Sequence, residues 1–161
     1  MSKLIMMCGV AGSGKSTWIR NNFPDITTVS RDAIRFEILD ERGSDYFAYE
    51  DEVFEKFIHQ IIDSLAADEV TIADATHLNV KARAKVLRKV AKFADEIEAV
   101  VMDVHLITAL ERNDKREGRA FVPCGVIRRM FFQMETPTAE EGFTKITFIR
   151  EEEDDEEDKI K

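Results

Sequence analysis

The segment Gly9-Val10-Ala11-Gly12-Ser13-Gly14-Lys15-Ser16, followed by Thr17, decides how this chain of 161 residues folds. It fits the pattern Gly-x-x-x-x-Gly-Lys-Ser of a phosphate-binding loop, or P-loop. Glycines let the backbone turn tightly and place its N–H groups against phosphate oxygens, and the positive end of a following helix adds to the attraction. The lysine would reach the β- and γ-phosphates of ATP, and the serine hydroxyl would hold Mg²⁺. We therefore expect nucleotide contacts from Gly9, Gly12, Ser13, Gly14, Lys15, Ser16 and Thr17.

The residues on either side of the glycine loop support this interpretation. Residues 3–8 are a short, mostly apolar run, as expected of a buried parallel strand. Residues 16–22 predict a helix that ends before Pro24. Strand, loop and helix thus follow one another in the order that the motif requires, although a glycine-rich loop that only turns the chain is the alternative.

The rest of residues 1–150 alternates between strand and helix patterns. Further strands are predicted at 26–29, 70–74, 98–104 and 143–149, and further helices at 31–39, 49–67, 80–93, 108–116 and 123–134. Residues 40–45 contain Gly and Ser and predict a loop. Five strands alternating with helices predict one three-layer α/β domain with a five-stranded parallel sheet flanked by helices.

Charge is distributed unevenly along the chain. Residues 151–158 are eight consecutive acids, and the segment 151–161 carries −6 of the formal net charge of −9. Such an acidic segment is typical of a disordered tail, with competition against a polyanionic substrate as a functional alternative. Residues 1–150 carry only −3, which excludes a globally basic nucleic-acid binder but leaves room for a local basic groove.

Cysteine usage and hydropathy predict a reduced, cytosolic protein without a membrane partner. Cys8 and Cys124 are far apart and lack metal-ligand spacing, and Cys8 falls in a predicted core strand. The first apolar run stops at Gly9, which is too short for a signal peptide or a membrane span.

Acidic residues follow two predicted strands, at the edge where parallel sheets bind ligands. Asp32 follows the second strand, and Arg35 lies three residues on, so both fall on one face of a helix start. The carboxylate could accept the proton of an attacking hydroxyl while the arginine holds an acceptor phosphate. A helix-capping acid with a surface arginine is the alternative.

Asp74 ends the third predicted strand and is a candidate for supporting Mg²⁺ or orienting a substrate, with a loop-capping role as the alternative. Asp103 is a competing acid, ranked lower because residues 104 and 105 continue the strand pattern.

Two basic stretches follow. Arg112, Arg116 and Arg119 share one face if their helix continues, and over the P-loop they could clamp a transferring phosphoryl group, with Gly118 as a lid hinge. The alternative is a solvated helix end. The other stretch is typical of solvated surface: Lys81, Arg83, Lys85, Arg88, Lys89 and Lys92.

Four segments together resemble the kinase domain of bacteriophage and bacterial polynucleotide 5′-hydroxyl kinases, over about residues 4–149. They are the glycine loop through Trp18, residues 30–35 with their Arg-Asp-x-x-Arg pattern, residues 72–79 with Asp-Ala-Thr, and residues 112–123 with their arginines and Val-Pro. The glycine loop alone is shared with thousands of NTPases, whereas the four segments in this order are much more specific.

The resemblance implies a P-loop kinase fold with an arginine-bearing lid, in a bacterial or phage-infected cytosol. It implies that Asp32 is the general base for a polynucleotide 5′-OH and that Arg35 contacts the acceptor phosphate. Lys15 and Ser16 would bind ATP phosphates and the metal, and Asp74, a candidate metal residue, would also contact the substrate with Thr76. Arg116 would be catalytic, and Arg112 and Arg119 would contact the nucleotide. No Asp-x-Asp-x-Thr phosphatase motif is present, so a kinase alone is expected.

The expected function is therefore transfer of the γ-phosphoryl group of ATP to the 5′-OH end of DNA or RNA. A kinase for a nucleoside or sugar would share every ATP residue and is the first alternative. A nucleotide-gated switch or motor ATPase is the second, against which the chain lacks an Asn-Lys-x-Asp guanine motif and is short for a motor subunit.

Overall fold

A parallel sheet of five strands forms the centre of the computed structural model, which describes residues 1–43 and 45–150. The strands are β1 (Lys3–Cys8), β2 (Thr27–Ser30), β3 (Val70–Asp74), β4 (Glu96–Asp103) and β5 (Lys145–Arg150), in the spatial order β2-β3-β1-β4-β5. All four pairings are parallel. This confirms the predicted fold class; the acidic tail lies outside the described residues.

Six α-helices flank the strands in the part of the chain that the structure describes. They are α1 (Lys15–Asn22), α2 (Arg31–Arg42), α3 (Glu50–Ala66), α4 (Val80–Val90), α5 (Leu106–Asp114) and α6 (Cys124–Gln133). Short 3₁₀ turns follow at Ala91–Phe93, Gly118–Ala120 and Ala139–Glu141. Ser30 begins α2 by accepting from the Ala33 amide at 3.2 Å, and Asn79 begins α4 by accepting from the Ala82 amide at 2.8 Å.

Alternate side chains of β1 pack on opposite faces of the sheet, which creates the three layers. Leu4, Met6 and Cys8 join the core that α2, α3 and α4 cover, whereas Ile5 and Met7 join the core beneath α1. All five side chains are at most 3% exposed. Because β1 is apolar on both faces, it takes the central position in the sheet and fixes the glycine loop at its carboxyl end.

Most element boundaries differ by one to three residues from those predicted. α2 continues to Arg42, so the predicted loop at 40–45 begins later. β4 ends at Asp103 instead of continuing through residue 105, and the Asp103 carboxylate accepts a hydrogen bond from Arg150 at 3.1 Å. α5 ends at Asp114, where the buried Asn113 side chain turns back to bond Val122 at 2.6 and 2.9 Å.

One member of the basic stretch on α4 is not solvated surface. Arg83 is fully buried, donates to Glu141 at 2.8 and 3.3 Å and donates to the His77 carbonyl at 2.9 Å. A charge-assisted pair satisfies the guanidinium and makes its burial tolerable. The prediction of a uniformly solvated stretch is therefore wrong at Arg83. Within the described ranges no helix is both long and apolar enough to cross a membrane.

Candidate active site

The glycine loop connects β1 to α1 and adopts backbone angles that favour glycine. Gly12 and Gly14 have φ of 82° and 95°, in the left-handed region that other residues rarely adopt. A Cβ on Gly12 would also lie 2.5 Å from the Ala109 carbonyl oxygen, and one on Gly14 would lie 2.9 Å from Arg112 Nη1. The loop therefore combines tight turns with the close approach of α5.

Lys15 lies at the first position of α1 and folds back over the loop. Its Nζ donates to the carbonyls of Gly9 at 2.8 Å and Val10 at 3.0 Å. Burial lowers the pKa of Lys15, and the Asp74 and Asp32 carboxylates oppose that shift while Arg116 adds to it. The charges of Asp74, Asp32 and Arg116 therefore act on the lysine.

An unpartnered polar atom inside the loop tests whether the loop fits a triphosphate. Ser13 is fully buried, and its Oγ has no hydrogen-bond partner among the described residues. Buried hydroxyls are costly when left unbonded, and loop amides and hydroxyls of this kind bond phosphate oxygens. The donor set of Ser13, Lys15 and the start of α1 fits a nucleotide phosphate.

Asp74 and Ser16 form the candidate metal position. Together with Ser30 they line one cavity of about 460 Å³ beside α1 and β2. Burial raises the pKa of Asp74, which Lys15 opposes and Asp32 reinforces. One carboxylate and one hydroxyl suit Mg²⁺, which takes its other ligands from phosphates and water. The described ranges hold no cluster of three His, Cys, Asp or Glu residues for a metal.

The backbone next to Asp74 also supports the loop. The Thr76 carbonyl accepts from the Gly9 amide at 2.9 Å, and the buried His77 ring lies 2.6 Å from the Met7 carbonyl through Nδ1. Burial lowers the pKa of His77 to about 4, despite its bond to Met7. The segment 74–77 is thus attached to β1 on the side of the sheet where Asp74 ends β3.

Asp32 and Arg35 lie one turn apart at the start of α2, as predicted. Asp32 is 64% exposed, whereas the Arg35 side chain is only 9% exposed. Arg35 Nη1 forms an ion pair with Oδ1 of Asp32. No hydrogen bond reaches Oδ2 of Asp32 from anywhere in residues 1–43 or 45–150. One carboxylate oxygen is therefore positioned by the protein while the other faces outward.

Two residues that the sequence analysis missed complete this arrangement. Glu50 accepts from Arg35 Nε at 2.6 Å and from Nη2 at 3.0 Å, a bidentate pair. Tyr46 Oη lies 3.1 Å from Arg35 Nη1 and 3.2 Å from Oδ1 of Asp32, and the guanidinium carbon lies 4.7 Å from the centre of the Tyr46 ring. Partial burial acts to raise the pKa of Glu50, but hydrogen bonding and charge from Arg35, with those of Arg31, lower it overall. Tyr46 and Glu50 follow Arg35 by 11 and 15 positions. No local sequence pattern links residues at these separations, so neither contact could be predicted from spacing.

The three arginines after β4 take separate positions. Arg112 Nη1 donates to the Ser13 carbonyl of the glycine loop at 2.8 Å, and Arg116 Nη1 donates to Ala120 at 3.3 Å. Arg119 donates to the Phe36 carbonyl at 3.2 Å, forms an ion pair with Asp40 and lies 5.3 Å from the Phe36 ring centre. Because α5 ends at Asp114, the helix does not continue through Arg116 and Arg119, and the three arginines do not share one helical face.

These contacts make residues 115–122 a bridge over the site. The segment starts at α5, whose Arg112 holds the glycine loop, and its Arg119 reaches α2, which carries Asp32. Gly118, the predicted hinge, lies within this segment and has φ of 60°. This is the left-handed region, which glycine adopts more readily than other residues. The bridge therefore connects the glycine loop to α2.

Comparison with known proteins agrees with this geometry. The profile of a family described as an AAA domain matches residues 4–137. A chain of the Pnkp1/Rnl/Hen1 RNA repair complex is 26% identical with a TM-score of 0.72; the match covers 82% of this chain and 43% of that one. Kti12 from Chaetomium thermophilum, in complex with ADP-AlF3, is 15% identical with a TM-score of 0.68, covering 98% and 96%.

A sugar kinase from Janibacter sp. HTCC2649 is a further structural neighbour. It is 16% identical with a TM-score of 0.65, and the match covers 93% of this chain and 86% of the kinase. The neighbours confirm the P-loop kinase fold, and the RNA repair chain supports the resemblance to polynucleotide kinases that the four sequence segments indicate. The family profile spans most of the chain, which therefore belongs to the AAA domain family and has a P-loop kinase fold.

Proposed function

We propose that this protein is an ATP- and Mg²⁺-dependent kinase that phosphorylates the 5′-OH end of DNA or RNA. The observation that carries the proposal is the pairing of Asp32 with Arg35 at the start of α2, within electrostatic range of Lys15. A carboxylate, an anion-binding guanidinium and a phosphate-binding lysine are the groups that transfer to an alcohol beside a phosphate requires.

On the phosphate side, the glycine loop would hold the nucleotide. Bound Mg-ATP would supply the phosphoryl group and the charge neutralisation of its phosphates. Lys15 would exchange its bonds to the Gly9 and Val10 carbonyls for phosphate oxygens. Ser13 Oγ would gain a partner there, and Ser16 and Asp74 would contribute the protein's share of metal binding.

On the acceptor side, Asp32 would receive the proton of the incoming 5′-hydroxyl at its outward oxygen, Oδ2. Arg35 fixes the other oxygen and is itself held by Glu50, so the carboxylate is oriented before substrate arrives. A phosphate 3′ to the acceptor ribose would bind the Nη face of Arg35, displacing its contact with Tyr46 and leaving its ion pair with Asp32 in place. Positioning of this kind contributes a large part of the rate in phosphoryl transfer.

Arg116 and Arg112 would act on the charge that develops during transfer. Arg116 affects the pKa of Lys15, so it lies within range of the phosphate position, and Arg112 contacts the loop itself. Arginines at this place stabilise the equatorial oxygens of the moving phosphoryl group. For Arg119, its contacts with Asp40 and Phe36 favour a role in holding the bridge to α2 instead of contacting nucleotide.

The direct test is to incubate the protein with Mg²⁺, γ-labelled ATP and a panel of acceptors. The panel contains 5′-OH DNA, 5′-OH RNA, nucleosides, nucleoside 3′-monophosphates and sugars. We expect label on the 5′ ends of polynucleotides and on nucleoside 3′-monophosphates, and much slower labelling of free nucleosides. Labelling of sugars alone, or nucleotide binding without transfer to any acceptor, would contradict the proposal.

A second candidate is a kinase for a small metabolite, which the sugar kinase among the structural neighbours favours. It would use the same glycine loop and the same Asp32, and it would place its alcohol against the carboxylate without needing the phosphate-binding face of Arg35. Transfer to a sugar with no gain from an acceptor phosphate would identify it.

A further inference from the structure

A row of exposed cations lies along one side of α4. Lys81, Lys85, Arg88 and Lys89 are all exposed, and at 100° per residue they fall within about 100° of the helix circumference. We call these four residues the basic stripe. α4 contains no acid, and across residues 1–43 and 45–150 no carboxylate lies within salt-bridge distance of the stripe. Lys81, Lys85 and Lys89 follow one another at about 6 Å along the axis, Arg88 lies about 1.5 Å before Lys89, and the stripe is about 12 Å long.

This arrangement disfavours the helix itself. Like charges three and four residues apart cost a few tenths of a kcal/mol each, and α4 has no Glu or Asp to offset them. In residues 1–150, which carry a net negative charge, four uncompensated cations on one face form a local positive surface. Such a surface attracts an extended polyanion.

The basic stripe starts at the edge of the sheet that holds the candidate active site. α4 follows β3, and the residues between them include Asp74's neighbours Ala75 and Thr76, whose carbonyl holds Gly9. Since helices that follow parallel strands begin at the carboxyl edge, Lys81 lies near that edge and Lys89 lies farther from it.

A cation beside Asp32 contacts the same aromatic ring as one member of the basic stripe. Arg31, which precedes Asp32, places its guanidinium carbon 5.5 Å from the centre of the Phe54 ring. Lys85 places Nζ 4.4 Å from the centre of the same ring. Phe54 is 8% exposed. Contacts on the Phe54 ring therefore form a continuous path from the start of α2, across α3, to the middle of α4. At the α2 end of this path Arg31 also pairs with Glu50 at 3.3 Å.

From this continuity we infer that the basic stripe binds the phosphates of a single-stranded polynucleotide, several nucleotides 3′ of the end that receives the phosphoryl group. The inference rests on the proposed function for the identity of that end. Arg31 and Lys85 lead the strand away from Asp32, and Lys81, Arg88 and Lys89 contact its backbone without reading sequence. Acceptor length then becomes a determinant of affinity, although the chemistry needs only the terminal nucleotide.

The test compares two double variants. The stripe variant carries Lys85→Glu and Lys89→Glu. The matched control carries Lys56→Glu and Lys145→Glu, which change the net charge equally at exposed sites on α3 and β5. Binding of a fluorescent 5′-OH 12-nucleotide single strand is measured by anisotropy at several salt concentrations, and KM is measured for that strand and for a nucleoside 3′-monophosphate. Melting temperatures verify that both variants fold.

We expect the stripe variant to bind the 12-nucleotide strand at least 10-fold more weakly at low salt. Its slope of log affinity against log salt should be shallower by about 1.4, because two phosphate contacts are lost at about 0.7 each. KM for the strand should rise at least 10-fold, with KM for the nucleoside 3′-monophosphate unchanged, and the control variant should match the wild type in all measurements.

Equal affinity of stripe variant and control for the strand would overturn the inference, as would an equal rise in KM for the long and short acceptors. The anisotropy arm does not need phosphoryl transfer. The wild type could phosphorylate no 5′-OH end while the stripe variant still loses strand binding. That result would contradict the proposed function and support strand binding by the basic stripe. Phosphorylation of nucleoside 3′-monophosphates, with strand binding unchanged in the stripe variant, would support the proposed function and contradict strand binding by the basic stripe.

Discussion

The phosphate side of the candidate site is built from residues that are neighbours in the chain, whereas the acceptor side is built from residues that the fold brings together. Gly9 through Ser16 form one loop, and Lys15 bonds carbonyls five and six residues before it. On the acceptor side, Arg35 is held by Tyr46 and Glu50, which come from a different part of the chain. The first side is therefore expected to serve any acceptor, and the second to determine which acceptor is used.

The largest loss of activity should come from a substitution in the glycine loop. Lys15→Ala removes the ammonium group that would bind the β- and γ-phosphates, so transfer to every acceptor should fall by about 10³-fold or more. The measurement is the initial rate with labelled ATP across the acceptor panel. A loss confined to one acceptor class would contradict the division between the two sides.

Next in size is the loss of the general base. Asp32→Asn keeps the shape of the side chain but cannot accept a proton, so kcat should fall about 10²-fold or more while nucleotide affinity stays nearly unchanged. Asp103→Asn is the matched control, because that carboxylate bonds Arg150 at the end of β4. Near wild-type turnover in Asp32→Asn would show that another group takes the proton.

A smaller effect should follow from loosening Arg35. Glu50→Gln removes the charge that holds the guanidinium, so KM for a nucleoside 3′-monophosphate should rise about 10-fold with a smaller change in kcat. Glu52→Gln on the same helix is the control, since Glu52 pairs with Arg42 instead. If both variants shift KM equally, then Glu50 stabilises α3 without positioning Arg35.

The contrast between the two sides also explains what could be predicted from the sequence. The glycine loop, the five strands and the position of Asp74 at the end of β3 follow from local patterns, because apolar runs and glycine spacing are properties of short segments. Asp32 and Arg35 share a helix turn, so their contact was predictable as well. Tyr46 and Glu50 were not, since their contacts with Arg35 depend on how the chain returns between α2 and α3.

The positions of the arginines could not be predicted from their spacing either. Spacing alone puts Arg112, Arg116 and Arg119 on one face, but Asn113 ends α5 by bonding Val122, and the chain leaves the helix. The same is true of Arg83, because its burial depends on Glu141, 58 residues away. Patterns of charge along a helix do not reveal which cation finds a distant carboxylate.

The effect expected to be smallest on activity concerns the support behind the glycine loop. The folded-state pKa of His77 is about 4 against an ordinary value of 6.5, so the unfolded chain binds the extra proton between these values. The stability that the neutral ring contributes is complete above pH 6.5 and is lost as pH falls toward 4, by about 3 kcal/mol.

His77→Asn should lack this pH-dependent loss, and asparagine tolerates the φ of 41° at this position. The measurement is the free energy of unfolding by denaturant at pH 7, 6 and 5, with His59→Asn as a surface control. Parallel curves for His77→Asn and the wild type would mean that the ring is not buried in its neutral form.

The most direct test of the proposed mechanism measures how much a 3′-phosphate on the acceptor increases kcat/KM. In the wild type, kcat/KM for a nucleoside 3′-monophosphate should exceed that for the free nucleoside by about 10- to 100-fold, the worth of a charge-assisted bidentate contact. Arg35→Lys keeps the charge but loses the planar donor pair, and should lose most of that gain. A wild type that gains nothing from the phosphate, or a variant that keeps the full gain, would contradict the assignment of the acceptor side.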